Sequence, residues 1–365
     1  MFAQLRQEEE RLAQEWKKKE EQRKAQKQKE MNEWVMRELE KIENEEREAE
    51  LRDKKAREEE ENERQQKDES EWQSSLASAA LSIAELNVPI IVNEDSLQRE
   101  GYAINRAIIV ANGHISKIYG AKNAAQKEIL CKVITLSDVK SKKVDRIREA
   151  GRILAYLRSN NHQNVLTVWA VFESKEHKFY TFMETLQGSL KNNKESKQPE
   201  AVVKKWAKNI VDGLYFLHSK AIAHRHITPD NLLVDDEDNI KIGGFSSACV
   251  YFDPISRTVV KLSPAGDYHH HYSPERITRD YNPAVADIFN LGIIIIYMLT
   301  KKWPFELGGP DASDYPVFIQ WKLCLAVEKV EISEELTDLL QNVLKADPEK
   351  RVNIKNVVSH KWLAS

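Results

Sequence analysis

Proline and glycine are missing from the first 88 residues: the first proline is Pro89 and the first glycine is Gly101. Nothing in that stretch therefore interrupts a helix through backbone chemistry. Cysteine is scarce as well. Cys131, Cys249 and Cys324 stand far apart, which excludes a disulfide framework or a zinc pattern and fits a reducing interior. Charge of one sign is also lacking: a net of −3 excludes reliance on bulk attraction to nucleic-acid phosphate. The opening Met1–Arg6 holds no apolar core of signal-peptide length. The longest apolar run, Leu291–Leu299, is about half of a membrane span. The expectation is a soluble cytoplasmic protein with neither a nucleic-acid nor a membrane partner.

What is present divides the chain into two unlike parts. Residues 1–70 carry 18 basic and 23 acidic side chains, whereas the remainder carries 37 and 35. A segment this charged cannot bury a core. Acidic residues precede basic ones at i,i+4 in pairs such as Glu15–Lys19, Glu33–Arg37, Glu50–Lys54 and Glu63–Lys67, each adding about 0.3–0.5 kcal/mol of local helix support. A 70-residue helix would reach about 100 Å. Met31, Val35, Leu39 and Ile42 fall at coiled-coil-like spacing, but no sustained seam continues on either side. Two readings stay open: a solvated single helix, or a partial coiled coil that self-associates or docks a partner through residues 31–42.

From Gln73 to Asn93 the composition turns to Ser, Ala, Leu and Ile, then Val88-Pro89-Ile90-Ile91-Val92, which reads as a linker or a short element laid on the domain. Short β-branched runs follow as far as Met183. Helical patterns take over after that, as in Val203, Trp206, Ile210, Leu214 and Leu217. Strands first and helices afterwards predict an α+β fold with a small sheet lobe and a larger helical lobe. The expected boundaries are 1–72 for the charged stalk, 73–97 for the linker and 98–365 for the compact domain. Its N-lobe covers about 98–186 and its C-lobe about 187–365.

The most informative stretch is His224-Arg225-His226-Ile227-Thr228-Pro229-Asp230-Asn231, followed by Ile240-Lys241-Ile242-Gly243-Gly244-Phe245. It resembles the catalytic and metal-binding core of a protein kinase, whose pattern is H-R-D-L-K-P-x-N and then D-F-G. Further landmarks come in the same order. Ile129-Leu130-Cys131-Lys132 is similar to V-A-I-K, Ser273-Pro274-Glu275 to A-P-E, and Asp287-Ile288-Phe289-Asn290-Leu291-Gly292 to D-x-W-x-x-G. Arg351 and His360-Lys361-Trp362-Leu363 resemble the closing segment. The resemblance covers about residues 98–363 and implies the two-lobe kinase fold, serine/threonine-like rather than tyrosine-like.

Several positions depart from the family pattern. The hydroxyl-orienting Asp is His226, the neighbouring Lys is Thr228, and the metal-binding Asp is Gly244. A lone amide at Asn231 makes a poor magnesium site, because this cation prefers carboxylate oxygens. Of the three glycines that cover phosphate only Gly113 remains, with Ala111 and Ser116 at the others. Lys132 is kept, but Ala150 occupies the position of its usual Glu partner and Glu149 falls one residue early. Leu130 adds bulk where the family places a small residue against adenine. Losing one preorganised charge stabiliser costs about 10²–10³ in rate, and the combined losses about 10⁴–10⁶.

These departures lead to the expectation of a degenerate kinase, a pseudokinase, without catalytic residues. It would act as a scaffold or allosteric regulator of a protein partner such as an active kinase. Lys132, Asn231 and Gly113 would form a vestigial nucleotide site with little or no affinity for Mg-ATP, and no metal or cofactor is expected. One alternative is a weak or unconventional serine/threonine protein kinase that uses ATP through Lys132, Asn231 and His226. Another is a helical-rod structural protein with a kinase-like cap. His269-His270-His271 reads as an exposed polar loop rather than a metal site. Arg225 is either a structural donor or a grip for phosphate on Ser256, Thr258 or Ser263.

Overall fold

The computed structural model describes residues 2–113, 115–193, 196–264, 269–304 and 317–364. Two compact units divide between Glu71 and Trp72. The first is made wholly of α1 (Phe2–Glu85), whose residues from Trp72 onward belong to the second. Within the first unit, Glu33 and Arg37 close to 3.8 Å on the exposed helix surface. Trp16, Met31, Trp34 and Met36 are exposed; the side chains of Val35, Leu39 and Ile42 lie outside those described.

In the second unit the last turns of α1 bury Leu76, Ala79, Ala80 and Ile83. Trp72 meets the ring of Tyr215 at 5.6 Å and lies under the ammonium group of Lys355 at 4.5 Å. The stretch 73–97, expected as a linker, thus carries the end of a helix. It then supplies β1 (Ile90–Ile91), which pairs in parallel with β5 (Val168–Ser174).

The N-lobe is a six-stranded sheet in the order β1-β5-β6-β4-β3-β2. Its other strands are β2 (Ala103–Asn112), β3 (Ser116–Lys122), β4 (Glu128–Thr135) and β6 (Lys178–Met183). Alternation along β4 does the sorting. Ile129, Cys131 and Val133 pack into an apolar layer with Phe172, Tyr180 and Phe182, so Leu130, Lys132 and Ile134 face the other way. Helix α2 (Ser96–Arg99) buries Leu97 in the same layer. Helix α3 (Ser141–Ser159) crosses the opposite face, and Gly151 lets it approach: a Cβ there would stand 2.1 Å from the Phe179 ring.

The C-lobe is helical. A short pair, β7 (Gly188–Ser189) and α4 (Leu190–Asn193), leads to α5 (Glu200–Ser219). Helix α5 buries Val203, Trp206, Ile210, Leu214 and Leu217, the face expected from 3.6-residue spacing. The loop after β8 (Ile222–Ala223) runs to β9 (Leu232–Val234) and β10 (Ile240–Ile242), which pair antiparallel. Beyond them lie α6 (Pro274–Thr278), α7 (Pro283–Thr300), α8 (Val317–Val327), α9 (Glu334–Val343), α10 (Ile354–Val358) and α11 (Lys361–Ala364). Among the described residues α7 alone is long and apolar enough to cross a membrane, but 89% of it is buried inside the fold. Its hydrophobicity serves the core. The Asn282 side chain caps it by accepting from the Ala284 N–H at 3.0 Å.

Candidate active site between the lobes

The loop 224–231 is anchored from beneath by one buried carboxylate. Asp287, on α7, accepts the backbone N–H of His224 and that of Arg225, each at 2.7 Å. His218 adds a contact from its Nε2 at 3.2 Å. Arg225 sits at a φ of +65°, a left-handed conformation that an L side chain adopts only when its surroundings enforce it. The His224 ring meets the Gly243 carbonyl at 2.6 Å and packs edge-on to Phe245 at 5.1 Å. Burial lowers the His224 pKa, so the ring stays neutral. Further out, Arg351 grips the buried Glu275 carboxylate at 2.6 and 3.0 Å.

Asn231 donates from Nδ2 to the His226 carbonyl at 2.8 Å. Its backbone carbonyl accepts from the Gly243 N–H, also at 2.8 Å. Gly244 is left-handed at φ +75°, and a Cβ on it would stand 2.1 Å from Asn231 Oδ1. The amide thus leans into the space that a side chain at 244 would need. A divalent ion at this locus would find one neutral amide oxygen and no carboxylate on residue 244. The residues present do not match the donor set that magnesium prefers.

Lys132 projects from β4 toward the cleft and lines both a small inner cavity of about 50 Å³ and an outer cleft of about 450 Å³. Burial lowers its pKa. Ala150 and Leu154 line the inner cavity beside it, while Glu149 turns away to accept the Val250 N–H at 3.1 Å. Leu130 is half-buried against the main core. Gly113 closes the turn after β2 by donating to the Ser116 carbonyl at 2.8 Å. Thr228 is buried, and among the described residues its hydroxyl has no partner. His226, Asn231 and Lys132 line the same outer cleft; Gly244 lines the inner cavity with Lys132.

The histidine triplet corrects one expectation. His269 and His270 are exposed, but His271 is buried with its ring 5.2 Å from that of His226. Burial and neighbouring positive groups push His226 down to about 4 and His271 to about 3. The sequence leaves open which of the three turns inward, because adjacent histidines carry no such signal. Among the described residues no group of three His, Cys, Asp or Glu side chains is placed to hold a metal ion.

Residues 105–363 match the model of the protein kinase domain, and the chain belongs to that family. It is 27% identical over 229 residues to the serine/threonine-protein kinase chk1 of Schizosaccharomyces pombe, covering 60% of this chain and 44% of that one. It is 28% identical over 258 residues to the CBL-interacting serine/threonine-protein kinase 12 of Arabidopsis thaliana, covering 70% and 51%. The chain thus spans about half the length of the curated relatives it matches.

These findings correct the expectation of an inert scaffold without a cofactor. The family match runs through both lobes and the relatives are named as serine/threonine protein kinases, enzymes that use ATP with magnesium. The inert reading treats each missing group as a loss from a standard site. The comparisons favour the alternative, a phosphotransferase.

Proposed function

We propose that this chain is an unconventional serine/threonine protein kinase that takes ATP into the cleft between its lobes. The observation that carries the reading is the match of residues 105–363 to the kinase domain, with relatives named as serine/threonine kinases. In this reading residues 98–365 form the catalytic domain, with lobes at about 98–186 and 187–365. Residues 1–72 form a helical extension and 73–97 the segment between them.

The chemistry falls to few groups. Lys132 supplies positive charge to the phosphates, and Asn231 and Gly113 flank them. His226 replaces a carboxylate as the group that takes the hydroxyl proton. With a pKa of about 4, its imidazole is neutral at pH 7 and therefore able to accept. As the acceptor oxygen bonds to the terminal phosphorus, the bond to the bridging oxygen breaks, ADP leaves, and the proton rests on His226. A base this weak drives proton transfer poorly. Thr228 brings no positive charge to the moving phosphoryl group. Turnover should therefore fall well below the usual range of about 1–100 s⁻¹.

The test is transfer of labelled phosphate from Mg-ATP to serine- and threonine-containing peptides by the purified full chain. Transfer that disappears in Lys132→Ala supports the reading. No transfer above background after prolonged incubation overturns it. A protein partner is part of the proposal, supported by relatives whose names describe them as CBL-interacting. Self-association through residues 31–42 is a further part, and sedimentation of the full chain at rising concentration tests it.

A further inference from the structure

The outer cleft is lined by Lys132 from β4, Lys143 and Arg146 from the start of α3, Arg225 from the loop after β8, and Arg276 from α6. Five cationic side chains from both lobes thus converge on about 450 Å³, and among the described residues no Asp or Glu lines it. Four acidic groups on the neighbouring elements are engaged elsewhere. Glu149 accepts from Val250, Asp230 pairs with Lys191 at 3.1 Å, Glu275 holds Arg351, and Asp287 holds the loop backbone. Arg225 donates from one guanidinium nitrogen to the Ser247 carbonyl and Arg276 to the Arg225 carbonyl, but among the described residues their Nε–H groups find no acceptor. The Arg276 guanidinium carbon lies over the Tyr272 ring, 3.5 Å from its centroid, which restrains it before any ligand arrives.

Cations gathered in a cleft with low-dielectric walls repel one another until an anion enters. An ordinary kinase site meets the charge of a triphosphate largely with metal ions held by carboxylates. Here the carboxylate position is Gly244, and the countercharge is built into the side chains. We propose that this cleft binds the linear triphosphate of a nucleotide with or without a divalent ion, with Lys132, Lys143, Arg146, Arg225 and Arg276 as the anion-binding groups. The inference rests on the kinase reading for the nucleotide and goes beyond it in naming the groups that hold the phosphates.

Calorimetric titration of the full chain with ATP in EDTA, repeated with excess magnesium, tests it. The expected dissociation constants agree within about threefold. Inorganic tripolyphosphate displaces ATP, and AMP binds at least about tenfold more weakly. Lys143→Ala with Arg146→Ala, both exposed positions on α3, should weaken ATP binding in EDTA about tenfold or more, because each removes a charge-assisted contact. The melting temperature should stay unchanged. Binding seen only with magnesium, no displacement by tripolyphosphate, or wild-type affinity in the double variant would each overturn the proposal. Phosphate transfer in magnesium without binding in EDTA would sink this inference and leave the kinase reading standing. Binding in EDTA without transfer would do the reverse.

Discussion

Asn231 and Gly244 compete for one small volume. The Asn231 oxygen stands 2.1 Å from the point where a Cβ on residue 244 would begin, and Gly244 holds a φ of +75°. Any side chain there must displace the amide and adopt a conformation that L residues resist. Gly244→Ala should therefore cost about 1–3 kcal/mol, read as a lower urea midpoint at unchanged slope. Adding Asn231→Gly should restore part of the loss, since the clash is removed and only the backbone strain remains.

Asp287 serves two backbone donors and His218 together. Asp287→Ala leaves the His224 and Arg225 N–H groups buried without acceptors, which should cost on the order of 2–5 kcal/mol. Because Arg225 is left-handed only under that restraint, hydrogen exchange at 224–226 should quicken more than exchange in α9.

Stability should fall with acid in a defined window. His226 and His271 titrate at about 4 and 3 in the folded chain, against about 6.5 when unfolded. Between those values the unfolded state takes up protons that the folded state refuses, so the stability present above about pH 6.5 is lost as pH falls and levels off near the folded values. His226→Gln and His271→Gln should each flatten that decline. Thermal unfolding from pH 7.5 to pH 4 checks it, and parallel curves for wild type and variants would count against the assignment.

Glu275 and Arg351 form a buried pair with an asymmetric response. Arg351→Met alone strands a carboxylate and should cost about 3–5 kcal/mol. Combining it with Glu275→Leu should recover most of that, because the stranded charge disappears along with its partner. Chemical denaturation of the two single variants and the double variant measures the difference.

Much of the helical lobe was legible because its apolar spacing is regular: the buried faces of α5 and α9 can be written down from Val203–Leu217 and Leu336–Val343. The loop 224–231 was legible because its residue types and their spacing repeat a family pattern. Elsewhere the signal was too short or too ambiguous. A two-residue strand such as Ile90–Ile91 has no period to detect, and its partner Glu173–Ser174 lies more than 80 positions away. Ser- and Ala-rich sequence reads as a flexible connection, yet small residues such as Ala79 and Ala80 are what let the end of α1 settle closely on its neighbours. The direction taken by Glu149 depends on Val250, a hundred residues on. The inert reading rests on the losses at His226, Thr228 and Gly244 taken together, and the positive charge gathered from both lobes is not visible along the chain.

The segment 86–89 is only four residues long and joins the buried end of α1 to the edge of the N-lobe sheet. On one side Ile83 is buried in the main core; on the other the Pro89 carbonyl accepts from the Glu173 N–H and β1 continues along the sheet edge. Four extended residues reach at most about 14 Å. This short tie limits how far the end of α1 and the edge of the sheet can move apart while both stay docked.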